Sequence, residues 1–352
     1  MNRALLARHT LLERRRLGPL ATIERLVGLQ AQVPRDPYVA LWSRLDGFEA
    51  AILSTAIEER RAVRMPLFRA TLHLVTREDA LQLRPVVRPV LDRGFYSGSP
   101  FGRNLDGLDV TAVLTEGRRL LEEAPRTRAE LQPLLAERFP DHDAPSLAYA
   151  CTYLLPTVQV TPRGLWRRSG RSAFTTLESW VGAPMAAGEA PDDLVMRYLR
   201  VFGPAAPADL RAWSGLPGAA EIIERLRPGL RTFRDEHGRE LVDAPRAPLP
   251  DPETPAPVLF LPEYDNVVLG HDDRSRIVSA DTKLWTEVGW GHVLVDGFTA
   301  ARWRAFLDEG RLRIEPFRRL ARAERADVEA EAHRLLTFLG GGSASQVELV
   351  SG

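Results

Sequence analysis

Apolar and polar positions along the chain repeat one order of elements, three helices and then a hairpin, and the last copy is the clearest. Residues 192–202 have the period of an amphipathic helix, which Gly203-Pro204 ends. Residues 207–213 and 219–226 predict two further helices. The alternation that follows predicts a hairpin with its tip at residues 235–238. This order is typical of a winged helix-turn-helix unit, which indicates duplex DNA as a ligand.

Two earlier stretches follow the same order less regularly. In the first, residues 4–16 and 22–29 predict helices and residues 62–76 a hairpin that turns at Pro66-Leu67-Phe68. The second copy has predicted helices at 110–123 and 146–155, a capping box from Thr127 to Glu130, and a hairpin at 157–170 with its tip at 162–164. The copies share their order of elements and little of their sequence.

The pattern changes after residue 243. A proline-rich linker leads into four apolar stretches that predict the strands of a small β domain or barrel. A final helix carries an apolar stripe at positions 328, 332, 335, 336 and 339, and we expect the glycine-rich end to be a loose tail.

These elements predict an α+β protein of three tandem winged helix-turn-helix units and a C-terminal β-barrel-like domain. The predicted boundaries are 1–77 and 78–185 for the first two units, 186–246 for the third, 247–340 for the β domain with its closing helix, and 341–352 for the flexible tail.

Composition removes several classes of function. No apolar run approaches the roughly 20 residues of a membrane span, and the N-terminus lacks a signal-peptide core, so we expect a cytoplasmic protein that does not contact membranes. Cys151 is the only cysteine, which excludes disulfides within the chain, and the seven histidines form no zinc-binding spacing. We therefore expect no metal and no cofactor.

Charge and basic composition add two constraints. The formal net charge is zero, so any polyanion must bind to a one-sided basic surface. Lys283 is the only lysine among 47 basic residues. A mechanism that needs an amine nucleophile would depend on Lys283 or the terminal amine, and we interpret Lys283 as a surface residue of a strand.

The candidate chemistry lies in Gln30-Ala31-Gln32, between the second and third helices of the first copy. In an extended conformation, residues two apart point to one side, and Pro34 pushes Val33 away from helical geometry. Two amides provide donors and acceptors that can fix a water molecule or bind the edge of a base. The spacing alone favours a structural capping role over a catalytic one.

Several segments together resemble the AlkZ-like DNA glycosylases. They are the run from Arg3 through Trp42, RATLHLVT (69–76), LPEYDNVVLGHDDRSRIV (261–278) and GHVLVDGFTAARWR (291–304). The resemblance implies three winged helices and a β-barrel arranged as a C around duplex DNA. It maps the family's glutamine–aliphatic–glutamine catalytic motif onto Gln30 and Gln32, and it implies excision of N7-alkylated purines, including interstrand crosslinks.

The chemistry of this substrate agrees with a site made of amides. An N7-alkylated purine is cationic and leaves as a neutral base, so a strong general acid is unnecessary, and positioned dipoles can stabilise the sugar cation. A crosslinked base cannot swing out of the helix, so the site would act on an unflipped nucleotide. The scarcity of lysine favours monofunctional hydrolysis.

Other residues are candidates for the cleft and for DNA contact. His73 either lines the active cleft or is a hydrogen-bonded structural histidine. The segment from Ala144 to Leu177 has no acidic residue, and its basic wing is a candidate for contact with phosphates or the minor groove. The predicted DNA-contacting residues are Arg163, Trp166, Arg167, Arg168 and Arg171 in that wing, and Arg274 and Arg276 near a hairpin of the β domain.

We therefore expect a monomeric, monofunctional DNA glycosylase acting on double-stranded DNA that carries alkylated purines. The alternative is a noncatalytic winged-helix transcriptional regulator, which predicts a preferred operator sequence. A third hypothesis is a protein that sequesters a DNA-reactive compound without releasing a base. Within the enzyme hypothesis, antibiotic self-resistance and general alkylation repair stay open.

Overall fold

The computed structural model describes residues 1–188, 191–279, 288–340 and 346–350, which form a mixed α and β structure. The first unit contains four helices and three short strands. They are α1 (Asn2–Arg8), α2 (Pro19–Arg25), β1 (Leu29–Gln30), α3 (Asp36–Arg44), α4 (Ala50–Glu58), β2 (Ala62–Pro66) and β3 (Leu72–Thr76).

The first two helices are shorter than the pattern predicts. The prediction of a helix over 4–16 is wrong because Thr10 has a φ of 59°, which a right-handed helix does not allow, and α1 ends at Arg8. Residues 9–10 then form a turn and residues 12–13 a bend, before the N–H of Arg15 donates to the carbonyl of Arg44 at 3.0 Å. Helix α2 likewise ends early, before Val27 and Gly28 take positive φ.

The second unit is mostly helical and ends in a two-stranded element. Its elements are α5 (Arg77–Val86), α6 (Arg88–Tyr96), α7 (Pro100–Arg103), α8 (Val110–Glu123), β4 (Arg126–Thr127), α9 (Arg128–Arg138), α10 (Ala144–Leu154), β5 (Thr157–Gln159), β6 (Ala173–Thr176) and α11 (Leu177–Val181). The predicted bounds of α8 and the capping box of Thr127 and Glu130 are confirmed.

The second hairpin differs from its prediction, because its far strand begins at Ala173 and residues 160–172 form a long loop. This loop turns back onto the first unit. The Tyr38 hydroxyl donates to the carbonyl of Gly164 at 2.8 Å, and the Trp166 N–H donates to Ser54 Oγ at 3.0 Å. Residues 164–166 therefore bind the first unit and do not pair with β5 as the far strand of the hairpin.

The hairpins of the first two units belong to one sheet. Its strand order is β1-β3-β2-β5-β6-β4, and the pairing of β2 with β5 rests on Arg64 opposite Gln159. Neither hairpin is therefore a free wing, since each covers an edge of the other.

The third unit follows its prediction closely. It contains α12 (Asp192–Phe202), α13 (Pro207–Ser214), α14 (Ala219–Leu226), β7 (Arg231–Arg234) and β8 (Glu240–Asp243). Strands β7 and β8 form a separate two-stranded sheet. A buried ion pair attaches this unit to α1: two guanidinium nitrogens of Arg8 lie 2.8 Å from the two carboxylate oxygens of Asp243.

The C-terminal region forms an open sheet covered by a helix. Its elements are β9 (Leu259–Leu261), α15 (Asn266–Leu269), β10 (Gly291–Val295), β11 (Phe298–Phe306), β12 (Arg311–Pro316), α16 (Arg322–Leu339) and β13 (Gln346–Leu349). The strand order is β13-β12-β11-β10-β9, and no closed barrel occurs in the described residues. The β9 edge instead meets α3, where Ser43 Oγ donates to the carbonyl of Phe260 at 2.6 Å.

Two further predictions for this region need correction or lie outside the description. The end of the chain is not wholly loose, because β13 pairs in parallel with β12. The strand predicted over 276–285 is replaced at its start by a turn of 3-10 helix, Arg274–Arg276, and Lys283 lies outside the described residues. The apolar stripe of α16 is buried as predicted. Nowhere in the described ranges does a helix combine the length and apolarity needed to cross a bilayer.

Candidate active site

The Gln30-Ala31-Gln32 segment is an extended edge of the six-stranded sheet. Gln30 lies opposite His73 in the antiparallel pairing of β1 with β3, and the Ala31 N–H donates to the carbonyl of Leu72 at 2.7 Å. Side chains alternate along extended backbone, so fully buried Ala31 faces the core and the two glutamines face away from it. Gln30 is buried, with 6% of its surface exposed, whereas Gln32 is exposed.

The β2–β3 connection holds both amides. Arg69 donates to Gln30 Oε1 over 2.6 Å, and the Leu72 N–H points at Gln32 Oε1 over 3.4 Å. The first bond is short and charge-assisted and the second is weak. Gln30 is therefore held in one orientation with Oε1 engaged, while the Gln32 amide keeps its hydrogen-bonding capacity for another partner.

Arg69 also connects this segment to the third unit, because it donates to the carbonyl of Trp213. Its backbone has a φ of 50° and that of Ala70 has a φ of 58°, a region that costs energy for residues with a Cβ. The strand predicted to begin at Arg69 begins at Leu72 instead. This strained turn directs the Arg69 guanidinium toward Gln30.

A second arginine, Arg64, hydrogen-bonds to the backbone of the motif. Arg64 is 2% exposed and donates to the carbonyl of Ala31 at 2.7 Å and to Gln159 Oε1 at 2.8 Å. Burial, then the charge of a nearby arginine, lowers the pKa of Arg64 and of Arg69 to about 10 each. Both remain cationic at neutral pH. Among the described residues, no carboxylate hydrogen-bonds to either glutamine.

His73 is a buried neutral side chain beside the motif. It is 2% exposed, its Nδ1 lies 3.0 Å from the carbonyl of Thr71, and its ring meets Phe68 edge-on. Burial, with a smaller contribution from Arg69, lowers its pKa to about 3. At neutral pH this imidazole carries no charge and is not a general acid.

The sequence analysis missed three polar residues at the motif. Arg64 and Arg69 do not stand out among so many arginines, and Gln159 is distant in the chain. Asp36 was also missed. It is 4% exposed, its Oδ2 has no hydrogen-bond partner among the described residues, and burial raises its pKa to about 8, so it is largely protonated at neutral pH.

The predicted basic wing is the irregular loop of residues 160–172. Trp166 packs between Tyr38 and Phe338, with ring centroids 4.8 and 4.9 Å away. Arg167 and Arg168 are exposed, and Arg167 donates to the carbonyl of Leu339 at 2.8 Å. The remaining members are partly engaged: Arg163 donates to the carbonyl of Gly170 at 3.2 Å, and Arg171 pairs with Glu130 at 2.5 Å.

The two arginines predicted from the β domain point in different directions. Arg274 is exposed on its 3-10 turn. Arg276 donates to the carbonyl of Pro204 at 2.6 Å and lies 3.1 Å from His271 Nε2, so its guanidinium faces the third unit. In the part of the chain that the structure describes, no group of histidine, cysteine and acidic side chains is arranged to hold a metal ion.

Comparison with known proteins agrees with this architecture. A family model described as DNA glycosylase AlkZ-like matches residues 23–338. Among solved structures, Streptomyces sahachiroi DNA glycosylase AlkZ is similar to this chain with a TM-score of 0.73 and 20% identity, covering 99% of each chain. No curated protein matches. The family match spans the glutamine motif and every described strand except β13, and the chain belongs to the AlkZ-like DNA glycosylase family.

Proposed function

We propose that the protein is a monofunctional DNA glycosylase that hydrolyses the N-glycosidic bond of N7-alkylated purines, including bulky adducts and interstrand crosslinks. The observation that carries this proposal is the asymmetric pair of amides, with Gln30 fixed by Arg69 and Gln32 exposed beside it. Membership of the family supports DNA as the substrate.

The orientation of Gln30 assigns separate roles to the two amides. Because its Oε1 accepts from Arg69, its Nε2 has no partner among the described residues and is available to donate to a water oxygen. The Gln32 carbonyl oxygen, only weakly bound by the Leu72 N–H, accepts a hydrogen bond from the same water, and the proton released when this water adds to C1′ passes to solvent. Together the amides fix the water for attack on C1′ of the sugar.

The charge balance of the reaction explains why nearby arginines do not oppose it. Before cleavage the positive charge is on the alkylated base, and in the transition state it moves to the sugar, so the total charge near Arg69 stays the same. The negative end of the Gln32 amide dipole stabilises the charge in its new position. The departing base becomes neutral, so neutral His73 need not protonate it.

We propose further that the three helical units bind the duplex as winged helices and form a C around it. Exposed Arg168 and Arg274 contact phosphates, and Arg163, Arg167 and Arg171 hold the basic loop and add positive charge. Trp166, which packs against Phe338, and Arg276, which donates to the carbonyl of Pro204, hold these segments in position without contacting DNA themselves. The lesion stays stacked in the duplex, because a crosslinked base cannot be fully flipped.

Release of purine from an N7-alkylated duplex tests the catalytic proposal. The variants are Gln30→Ala, Gln32→Ala and the double variant, with exposed Gln82→Ala as the matched control. We expect single-turnover rates to fall about a hundredfold or more in each active-site variant, the size expected for losing one positioned dipole. Rates equal to those of the wild type in all three variants would remove the motif from the mechanism.

A further inference from the structure

A second recess opens beside the exposed glutamine. It is a cavity of about 310 Å³ between the β2–β3 connection and the second unit. We call it the Arg128 cleft, and its principal lining residues are Gln32, Arg128, Tyr149, Tyr153, Arg163 and Phe174. Its volume is at the small end of ligand pockets, which suits a group of the size of one nucleotide.

The walls of the Arg128 cleft are aromatic and cationic. The Arg128 guanidinium lies 4.4 Å from the ring centroid of Tyr149 and 5.4 Å from that of Phe174, and its Nε donates to Thr152 Oγ1 at 2.7 Å. Tyr149 and Tyr153 stack at 5.2 Å. Arg163 adds a second guanidinium, whose buried Nε has no hydrogen-bond partner within the described ranges. None of the described residues that line the cleft is acidic.

One glycine makes room for this arrangement. A Cβ added to Gly94 would lie 2.8 Å from the hydroxyl oxygen of Tyr153 and 3.3 Å from Cβ of Ala70. Such a contact is too short, so any side chain at position 94 would displace Tyr153. Gly94 lies inside α6, where alanine is favoured over glycine by about 1 kcal/mol. The glycine therefore favours the position of Tyr153 at the expense of helix propensity.

These features select among the parts of a damaged duplex. The two guanidiniums on the wall of the Arg128 cleft attract a phosphate, and its described lining offers no carboxylate that would bind a cationic N7-alkylpurine. Aromatic rings and a guanidinium plane bind the face of an uncharged base. The ligand that satisfies both requirements is an undamaged nucleotide, with its base on the aromatic wall and its phosphate at the arginines.

We infer that the Arg128 cleft binds one undamaged nucleotide that leaves the base stack next to, or opposite, the lesion. This inference rests on the proposed function in assuming that damaged duplex DNA occupies the Gln30–Gln32 site. It explains how an enzyme that cannot flip a crosslinked base still opens the duplex around it: the neighbouring nucleotide moves, and the lesion stays. Gln32 belongs to the glutamine motif and also lines the Arg128 cleft.

A double-mutant cycle, in which protein variants are combined with duplexes that lack one base, tests the inference by binding alone, without base excision. The probe is a labelled duplex with a tetrahydrofuran residue at the lesion position, which has no glycosidic bond to hydrolyse. Three further duplexes also lack the base on the 5′ side, on the 3′ side, or opposite. Affinities are measured by fluorescence anisotropy for the wild type, Tyr153→Leu and Arg128→Gln, with exposed Tyr96→Leu as the matched control.

We expect Tyr153→Leu to weaken binding of the parent duplex about fivefold to a hundredfold, the range for one base–aromatic contact. The wild type should bind one of the three further duplexes more weakly than the parent duplex by a similar factor. For that duplex, Tyr153→Leu should cause no additional loss of affinity, because the base that contacts Tyr153 is already missing. Arg128→Gln should weaken binding and flatten its salt dependence. The inference would be overturned if Tyr153→Leu weakened binding of all four duplexes by the same factor, or if this variant bound all four with the affinity of the wild type.

Gly94→Ala provides a second variant that keeps every lining side chain. It should reproduce the loss seen for Tyr153→Leu while the midpoint of urea unfolding stays close to that of the wild type, because the end of the Tyr153 side chain must shift and Cβ of Ala70 must move by only a few tenths of an ångström. Wild-type affinity in Gly94→Ala would contradict the role given to Tyr153.

Purine release from an N7-alkylated duplex separates failure of the two proposals. If excision is normal but Tyr153→Leu and the missing base have independent effects on binding, only the inference about the Arg128 cleft fails. Coupling without excision contradicts the catalytic proposal alone.

Discussion

The first and third hairpins are the same local element with opposite surroundings. Strand β2 of the first hairpin is buried at every position, whereas three of the four residues of β7 are exposed. The first hairpin is central in a six-stranded sheet and holds the glutamine motif, and the third pairs only with itself. The comparison shows that the partners of a hairpin, rather than its own strands, determine whether its arginines support a site or face solvent.

Removing Arg69 should have the largest effect on this comparison. Arg69→Met leaves Gln30 Oε1 and the Trp213 carbonyl without their donor, so the Gln30 amide is free to rotate. We expect excision to slow about a hundredfold, the loss typical of one misplaced catalytic group. The matched change on the third hairpin, Arg231→Met, should leave the single-turnover rate within about twofold. Similar losses in both variants would show that the Gln30 contact has no special role.

Arg64 tests the structural part of the same hairpin. Arg64→Met leaves the buried Ala31 carbonyl and Gln159 Oε1 unpaired. We expect a loss of about 2–3 kcal/mol in the free energy of unfolding, measured in urea. Arg234→Met, in the exposed hairpin, should change it by no more than about 0.5 kcal/mol. A change of less than about 0.5 kcal/mol in the free energy of unfolding of Arg64→Met would mean that water replaces the hydrogen bonds made by Arg64.

The buried histidine of the first hairpin, His73, should couple the stability of the protein to pH. The folded-state pKa of His73 is about 3, below its unfolded value near 6.5, so only the unfolded chain binds this proton between those values. Stability from this group is present above about pH 6.5 and falls with decreasing pH, by up to about 1.4 kcal/mol per pH unit. His73→Asn should reduce that slope in urea unfolding between pH 6 and 4.5, whereas Thr232→Asn, an exposed change on the third hairpin that leaves His73 in place, should not.

The smallest expected effect concerns the basic loop attached to the second hairpin. Arg168 is exposed, and its replacement by glutamine should reduce the salt slope of duplex binding by about one phosphate contact. Arg231→Gln on the third hairpin serves as the comparison. Equal slopes for the wild type and Arg168→Gln would remove Arg168 from the proposed DNA surface.

Local pattern was sufficient to predict most elements and to select the glutamine motif. The bounds of α8 and α12 and the capping box of α9 agree with their predictions, because amphipathic period and end signals are local properties. The failures involve distant partners. Residues 160–172 form a loop because Tyr38 and Ser54 bind it, and the end of the chain forms β13 because the edge of β12 is available.

The sequence by itself predicted the same order of helices and a hairpin three times along the chain, and it placed paired glutamines two residues apart in the first of these stretches. Only the tertiary structure decided that two of the hairpins join through Arg64 and Gln159, and that Arg69 reaches Gln30 while Gln32 stays exposed. The physical reason is range. Hydrophobic period acts between residues a few positions apart, whereas the burial and hydrogen bonding of an arginine depend on whichever distant carbonyls and amides the fold brings to it.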